Sequence, residues 1–155
     1  AELKRAGPGV AILAFGSIVS ACQALAEAQD MTLVNMRFIK PLDERTVLDM
    51  AAQHDALVTV EENVVAGGAG SAINELLAAA DVHLPVLNIG IPDRFIEHGS
   101  REDCLVSAGL DRTRLEQRIL QWWQAHAPSG AARVRAGGRF GAFAALRARR
   151  ARLSQ

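Results

Sequence analysis

A glycine-rich turn next to two carboxylates is the stretch of this sequence whose residue types are best suited to binding. Residues 67–71 read Gly-Gly-Ala-Gly-Ser and open a helical pattern, where free backbone N–H groups and the helix dipole favour a phosphate or a carboxylate. Glycines also allow close backbone packing, and the spacing from the preceding strand does not fit the dinucleotide-binding pattern. The candidate contacts for an anion or a partner chain are Glu62, Gly67, Gly68, Gly70 and Ser71.

The two carboxylates, Glu61 and Glu62, are adjacent at the end of an apolar segment. Neighbouring residues of a strand point to opposite faces, so this pair does not form a carboxylate dyad for acid–base catalysis. Two interpretations remain open. One carboxylate accepts hydrogen bonds from a neighbouring loop, or one of them meets a partner chain.

A second polar group lies further along the chain, where Asp93, Arg94 and His98 follow another apolar segment. These residue types allow acid–base chemistry, but in a loop they are more typical of a structural hydrogen-bond network, which is the role we predict. None of the four histidines lies at a metal-ligand spacing from another histidine or from either cysteine. The residues by themselves therefore predict no metal site and no catalytic group.

The elements that must position these residues alternate between strands and helices. Short, nearly continuous apolar segments predict buried parallel strands, and apolar residues recurring every three or four positions predict helices between them. This alternation indicates an α/β fold, with polar loops collected at the carboxyl ends of the strands. The predicted strands span residues 10–15, 32–36, 56–60 and 86–91, and residues 2–5 could add an edge strand through a hairpin.

Charge divides the 155 residues into two parts. Residues 1–130 hold 10 basic and 17 acidic side chains, whereas residues 131–155 hold seven arginines and no acid. An acidic body argues against a nucleic-acid surface on the domain, because phosphate binding needs clustered basic residues; only the tail could contact nucleic acid or an acidic partner. We therefore predict one domain over residues 1–127 and an Ala/Gly/Arg-rich tail over residues 128–155, flexible or partly helical.

The location of the protein follows from two further features. The longest apolar run, Val10 to Phe15, is far shorter than the roughly 20 residues that span a bilayer. Two cysteines 82 positions apart form no disulfide framework, which favours a reducing compartment. We expect a cytoplasmic protein with no membrane partner, and the missing initiator Met suggests that the sequence is part of a longer chain.

Three motifs resemble a known family. Residues 36–43 read Met-Arg-Phe-Ile-Lys-Pro-Leu-Asp, residues 57–63 read Leu-Val-Thr-Val-Glu-Glu-Asn and run into the glycine-rich turn, and residues 87–93 read Leu-Asn-Ile-Gly-Ile-Pro-Asp. Phe95-Ile96 and His98-Gly99 follow the third motif. In this order and spacing the motifs closely resemble the carboxyl-terminal domain of the 1-deoxy-D-xylulose-5-phosphate synthase family, over about residues 2–124.

The resemblance implies a fold and a parent activity. The family domain is a three-layer α/β/α sandwich with a mostly parallel five-stranded sheet whose first strand is antiparallel. The parent enzyme is a transketolase-like homodimer that uses thiamine diphosphate and magnesium to join a two-carbon unit from pyruvate to glyceraldehyde 3-phosphate, releasing carbon dioxide. Its product feeds isoprenoid, thiamine and pyridoxal synthesis.

The same resemblance limits what this chain does alone. The family's Gly-Asp-Gly motif for magnesium and diphosphate is absent from the sequence, so no catalytic, cofactor-binding or metal-binding residue carries over. We expect an inactive, dimer-supporting domain whose partners are the preceding N-terminal and central domains and a second subunit. The alternatives are a stand-alone Rossmann-like domain that binds an anion at residues 67–71 and a non-enzymatic interaction domain. If the turn is an association surface, Gly68→Leu in the full-length enzyme should weaken assembly.

Overall fold

The fold is given by a computed structural model, which describes residues 1–127. The predicted tail, residues 128–155, lies outside the described residues, and its properties stay a prediction. The strands are β1 (Glu2–Arg5), β2 (Val10–Phe15), β3 (Thr32–Asn35), β4 (Ala56–Val64) and β5 (Val86–Ile91). The helices are α1 (Val19–Ala28), α2 (Glu44–Gln53), α3 (Ala69–Ala79), α4 (Arg101–Ala108) and α5 (Arg112–His126), and a 3-10 turn spans Gly16–Ile18 before α1.

The strands form one five-stranded sheet in the order β1-β3-β2-β4-β5, in which β1 is antiparallel to β3 and the other pairs are parallel. Alternate residues of the central strand β2 face opposite sides. Ala11 and Leu13 pack in a core with α2 and α3, whereas Val10 and Ile12 pack in a core with α1 and α5. The predicted three-layer α/β/α sandwich is therefore confirmed.

The first strand lies at the sheet edge, as expected, but it is not joined to β2 as a hairpin. It pairs with β3 through Glu2 and Asn35, because β2 is already paired with β3 on one side and with β4 on the other. Since β1 runs antiparallel to the rest, residue 1 lies at the edge where the parallel strands end. No helix within residues 1–127 is long and apolar enough to cross a lipid bilayer.

The third predicted strand is longer than its apolar segment. It continues beyond Val60 to Val64, which pairs with Ile91 of β5, and the backbone N–H of Val65 donates to the carbonyl of Ile91 at 3.2 Å. The register shifts between Val60 and Val64, so hydrogen bonding to β5 extends the strand after the apolar run has ended. Glu61 and Glu62 consequently lie inside the strand and not beyond its end.

Helix starts follow the side chains that cap them. Asp43, Ser100 and Asp111 each accept a hydrogen bond from the backbone N–H three residues later, at the starts of α2, α4 and α5. Asp43 also accepts from the Thr46 hydroxyl and forms a 2.8 Å ion pair with the ammonium group of residue 1. These contacts, with the ammonium group first, lower the pKa of the Asp43 carboxyl from 3.8 to about 2.

We expect this carboxyl to titrate near pH 2 in an NMR titration of the chain beginning at residue 1. A pKa lowered by folding stabilises the folded state above the unfolded value of 3.8, and that contribution is lost as the pH falls toward 2. A matched chain extended by a few residues before Ala1 has an amide in place of the ammonium group. In that chain the pKa of Asp43 should rise, yet stay below its ordinary value because Thr46 still donates. An unchanged pKa would contradict the role of the ammonium group.

Candidate functional site

The glycine-rich turn is built around the side chain of Glu61. This side chain leaves β4 toward the start of α3, where the residue is only 2% exposed. Its Oε2 accepts a 2.8 Å hydrogen bond from the backbone N–H of Ala69, and its Oε1 accepts a 2.9 Å bond from that of Gly70. The carboxylate thus occupies the position in which a bound anion would meet the helix N-terminus.

The glycines around this carboxylate are explained by close packing. A Cβ atom on Gly68 would lie 2.4 Å from the carbonyl oxygen of Val64 and 2.5 Å from Oε2 of Glu61. A Cβ atom on Gly70 would lie 2.6 Å from the Thr59 hydroxyl oxygen. All three distances are below 3.0 Å, so a side chain at either position would displace its neighbours. The cost is greater at Gly68, where one neighbour is a backbone carbonyl, than at Gly70, where the neighbours are side-chain ends.

The exposed part of the turn is smaller than the sequence suggested. Gly68 and Gly70 are buried, whereas Gly67 is exposed and adopts a left-handed backbone with φ of 73°. The Ser71 hydroxyl accepts from the N–H of Gly67 at 3.1 Å and donates to the carbonyl of Val65 at 3.0 Å, closing the turn. A partner can therefore reach Gly67 and its neighbour Ala66, but an external anion would have to displace the carboxylate of Glu61.

Glu62 points away from this turn and joins three elements at the carboxyl end of the sheet. Its Oε2 accepts a 2.5 Å hydrogen bond from the hydroxyl of Ser17, and its Oε1 forms an ion pair with the guanidinium of Arg101. Arg101 also donates to the Ser17 hydroxyl oxygen at 2.9 Å. The three side chains, which we call the Ser17–Glu62–Arg101 bridge, link the turn after β2 to β4 and α4. Both carboxylates therefore have partners within the domain, and contact with a partner chain stays a prediction. No sequence signal pointed to Ser17 or Arg101 as partners of Glu62.

The second polar group does not form the hydrogen-bond network that the sequence predicted. Asp93, Arg94 and His98 are all exposed, and no hydrogen bond in residues 1–127 joins them to one another. The guanidinium of Arg94 instead donates to the carbonyl oxygen of Ser107 at 2.6 Å, which ties the loop after β5 to α4. The open course of this loop leaves the carboxylate and the imidazole in solvent.

The donor groups in the described part of the chain do not fit thiamine diphosphate with magnesium. No cluster of three or more His, Cys, Asp or Glu side chains that could hold a metal ion occurs in residues 1–127. The glycine-rich helix start, the natural place for a diphosphate, is filled by Glu61. Burial raises the pKa of the Cys22 thiol to about 12, so this thiol stays protonated at neutral pH.

Comparison with known families gives one match over most of the chain. The family model for the C-terminal domain of transketolase matches residues 1–115. A solved structure titled "Split gene transketolase, inactive beta4 tetramer" has the same fold, with a TM-score of 0.70 and 27% identity. That similarity covers 77% of this chain and 40% of the other.

Curated relatives are more similar in sequence and much longer. A 1-deoxy-D-xylulose-5-phosphate synthase from Thioalkalivibrio sulfidiphilus is 60% identical over 111 residues, which are 72% of this chain and 17% of that protein. The enzymes of the same name from Aeromonas hydrophila and Nitrosococcus oceani are both 53% identical, over 80% and 86% of this chain and 20% and 21% of their own length. This chain spans about a fifth of the length of the curated relatives that it matches. Because the family model matches residues 1–115 of the 155, the chain belongs to the transketolase C-terminal domain family.

Proposed function

We propose that this chain is the C-terminal domain of a 1-deoxy-D-xylulose-5-phosphate synthase, in which it supports assembly and supplies no reacting group. The observation that carries the proposal is the 60% identity to a synthase of that name, over 111 residues that make up 17% of the synthase. In this proposal the parent enzyme joins pyruvate to glyceraldehyde 3-phosphate with loss of carbon dioxide. It acts as a cytoplasmic homodimer, and thiamine diphosphate and magnesium bind to the domains that precede this one.

The contacts of the two glutamates support a role without catalysis. A catalytic carboxylate must reach a substrate, yet Glu61 is buried with both oxygens accepting from α3, and Glu62 pairs with Ser17 and Arg101. The histidine most enclosed by neighbours, His54, is similarly engaged through Nδ1 with the carbonyl of Met50 at 2.9 Å. These groups hold elements of the domain together.

An association surface at the carboxyl ends of the strands is the second part of the proposal. Glu62, Gly67 and Ser71 supply its accessible part. Gly68 and Gly70 are buried and allow the close packing of the turn on β4. The small exposed residues at positions 66 and 67 let a partner approach the backbone closely, and the partly exposed Glu62, paired with Ser17 and Arg101, adds a polar group beside them.

Titration calorimetry of the isolated chain with thiamine diphosphate and magnesium tests whether cofactor binding belongs to the preceding domains and not to this one. We expect no saturable heat. In the described domain the N–H groups of the glycine-rich helix start are already bonded to Glu61, and no cluster of side chains there could hold the metal. We also expect no release of carbon dioxide from pyruvate. The control is the full-length parent, which should bind the cofactor and make 1-deoxy-D-xylulose 5-phosphate. Saturable binding by the isolated chain, or a full-length parent without synthase activity, would contradict the proposal.

A further inference from the structure

Large apolar side chains exposed to solvent are concentrated at one edge of the sheet. We define the carboxyl edge as the loops that follow β2, β3, β4 and β5, at residues 16–18, 36–43, 65–68 and 92–100. Phe38 and Ile39, after β3, are 63% and 50% exposed, and Phe95, after β5, is fully exposed. The other two large exposed apolar residues of the described chain are Leu3 and Val106, so no such residue lies in the loops at the opposite, amino edge.

The loops that carry these apolar side chains are held by specific contacts. The backbone N–H of Arg37 donates to the side-chain oxygen of Asn35 at 3.0 Å, and its guanidinium forms a 3.3 Å ion pair with Glu2. At the other end of the edge, Arg94 is tied to α4, and Ile96 packs against the core beside the exposed Phe95. Aromatic rings presented from braced loops lose little conformational entropy on binding, which is typical of anchor residues in interfaces.

The position of residue 1 indicates what covers this edge. Its nitrogen lies 2.8 Å from Oδ2 of Asp43, the last residue of the loop that carries Phe38 and Ile39. The C-terminal domain model matches from residue 1, so in a synthase about five times as long the preceding domains come before this point in the chain. They are therefore tethered beside the exposed rings at high effective concentration. The last described helix, α5, ends at the other edge, because its Trp123 packs 3.5 Å from the site of a Cβ on Gly9 before β2.

We propose that Phe38, Ile39 and Phe95 anchor this domain to the domains that precede residue 1 in the same polypeptide. The Ser17–Glu62–Arg101 bridge lies between the two apolar ends of the surface, above the neighbouring strands β2 and β4. The bridge satisfies its own charges, so a partner can cover it without leaving a buried ion unpaired. This inference rests on the proposed function, since it requires a parent with preceding domains.

The experiment uses the full-length parent with Phe95→Asp and, separately, Phe38→Asp. A charge placed in a buried contact should undock the domain, so we expect protease cleavage before residue 1 to become about tenfold faster or more. The domain should then unfold in a transition of its own. The matched control is Ala79→Asp, an exposed apolar position at the end of α3 on the amino edge, which should change neither measurement. Each variant is also made in the isolated 155-residue chain, where Phe95→Asp should not shift the thermal midpoint, because that ring contacts nothing.

Three outcomes would overturn the inference. If both variants cleave like the wild type, the carboxyl edge is not the docked surface. If the isolated chain self-associates in sedimentation and Phe95→Asp abolishes this, a second copy covers the edge. If protection in the parent is lost on deleting residues 128–155 and not with Phe95→Asp, the tail covers it. Synthase activity of the wild-type parent is measured separately, so failure of the docking surface and failure of the proposed function are distinguishable.

Discussion

Glu61→Ala is expected to lower the free energy of unfolding of the isolated chain by about 3–5 kcal/mol. The substitution removes a buried carboxylate that accepts charge-assisted hydrogen bonds from the N–H groups of Ala69 and Gly70. Both N–H groups would be left without a protein acceptor at a helix start, where the dipole also favours the lost negative charge. Urea unfolding followed by circular dichroism measures the effect.

The neighbouring glutamate supplies the control for this experiment. Glu62→Ala removes an ion pair in which the Glu62 side chain is 25% exposed and that of Arg101 is 57% exposed, so we expect a loss of only about 1 kcal/mol. Glu61→Gln should fall between the two, because the amide keeps one acceptor oxygen but presents an NH₂ group to the other N–H. Equal losses for Glu61→Ala and Glu62→Ala would contradict the capping role of Glu61.

Gly68→Leu is expected to lower the free energy of unfolding by about 3 kcal/mol or to prevent folding of the isolated chain. Even the first side-chain atom, Cβ, would lie 2.4 Å from the Val64 carbonyl oxygen and 2.5 Å from the Glu61 carboxylate. Moving that carboxylate would break its hydrogen bonds to the start of α3. The sequence suggested this substitution as a probe of assembly. The structure makes it a probe of the fold, since the residue is buried. Thermal unfolding of the isolated chain measures the effect.

Exposed neighbours of Gly68 provide its controls. Gly67→Asn keeps the left-handed backbone, which asparagine tolerates, and meets no atom within 4 Å of its Cβ, so it should cost under about 1 kcal/mol. Ala66→Arg places a long charged side chain on the accessible part of the turn and should weaken assembly of the parent without altering the stability of the isolated chain. A Gly68→Leu chain as stable as Gly67→Asn would show that the turn can open to admit a side chain.

The sequence was sufficient for features that depend on local signals. Apolar strands alternating with amphipathic helices predicted the layers. The caps Asp43 and Asp111 at the starts of α2 and α5 are local features of the same kind, because a capping side chain bonds within three residues of itself. The resemblance supplied the antiparallel first strand. Its pairing with β3 and not with β2 depends on which sheet edge is free, which local signals do not report.

The roles of the two glutamates could not be separated by sequence. Their alternation predicted opposite faces, and the local hydrogen-bonding interpretation describes Glu61, which bonds residues eight and nine positions away. Glu62 meets Ser17 and Arg101, 45 and 39 positions away, and such contacts arise only when the sheet brings β2, β4 and α4 together. The polar loop at residues 93–98 was misjudged for a similar reason, because the acceptor of Arg94 is a main-chain carbonyl that carries no sequence signal.

The buried carboxylate also changes how the start of α3 opens to solvent. The first N–H groups of a helix have no partner within the helix and ordinarily exchange their hydrogens with water almost freely. At Ala69 and Gly70 these hydrogens are bonded to a side chain that belongs to β4 and is itself sealed beneath the turn. They can exchange only when strand and helix separate, so fraying from this end of α3 is coupled to loss of the sheet contact.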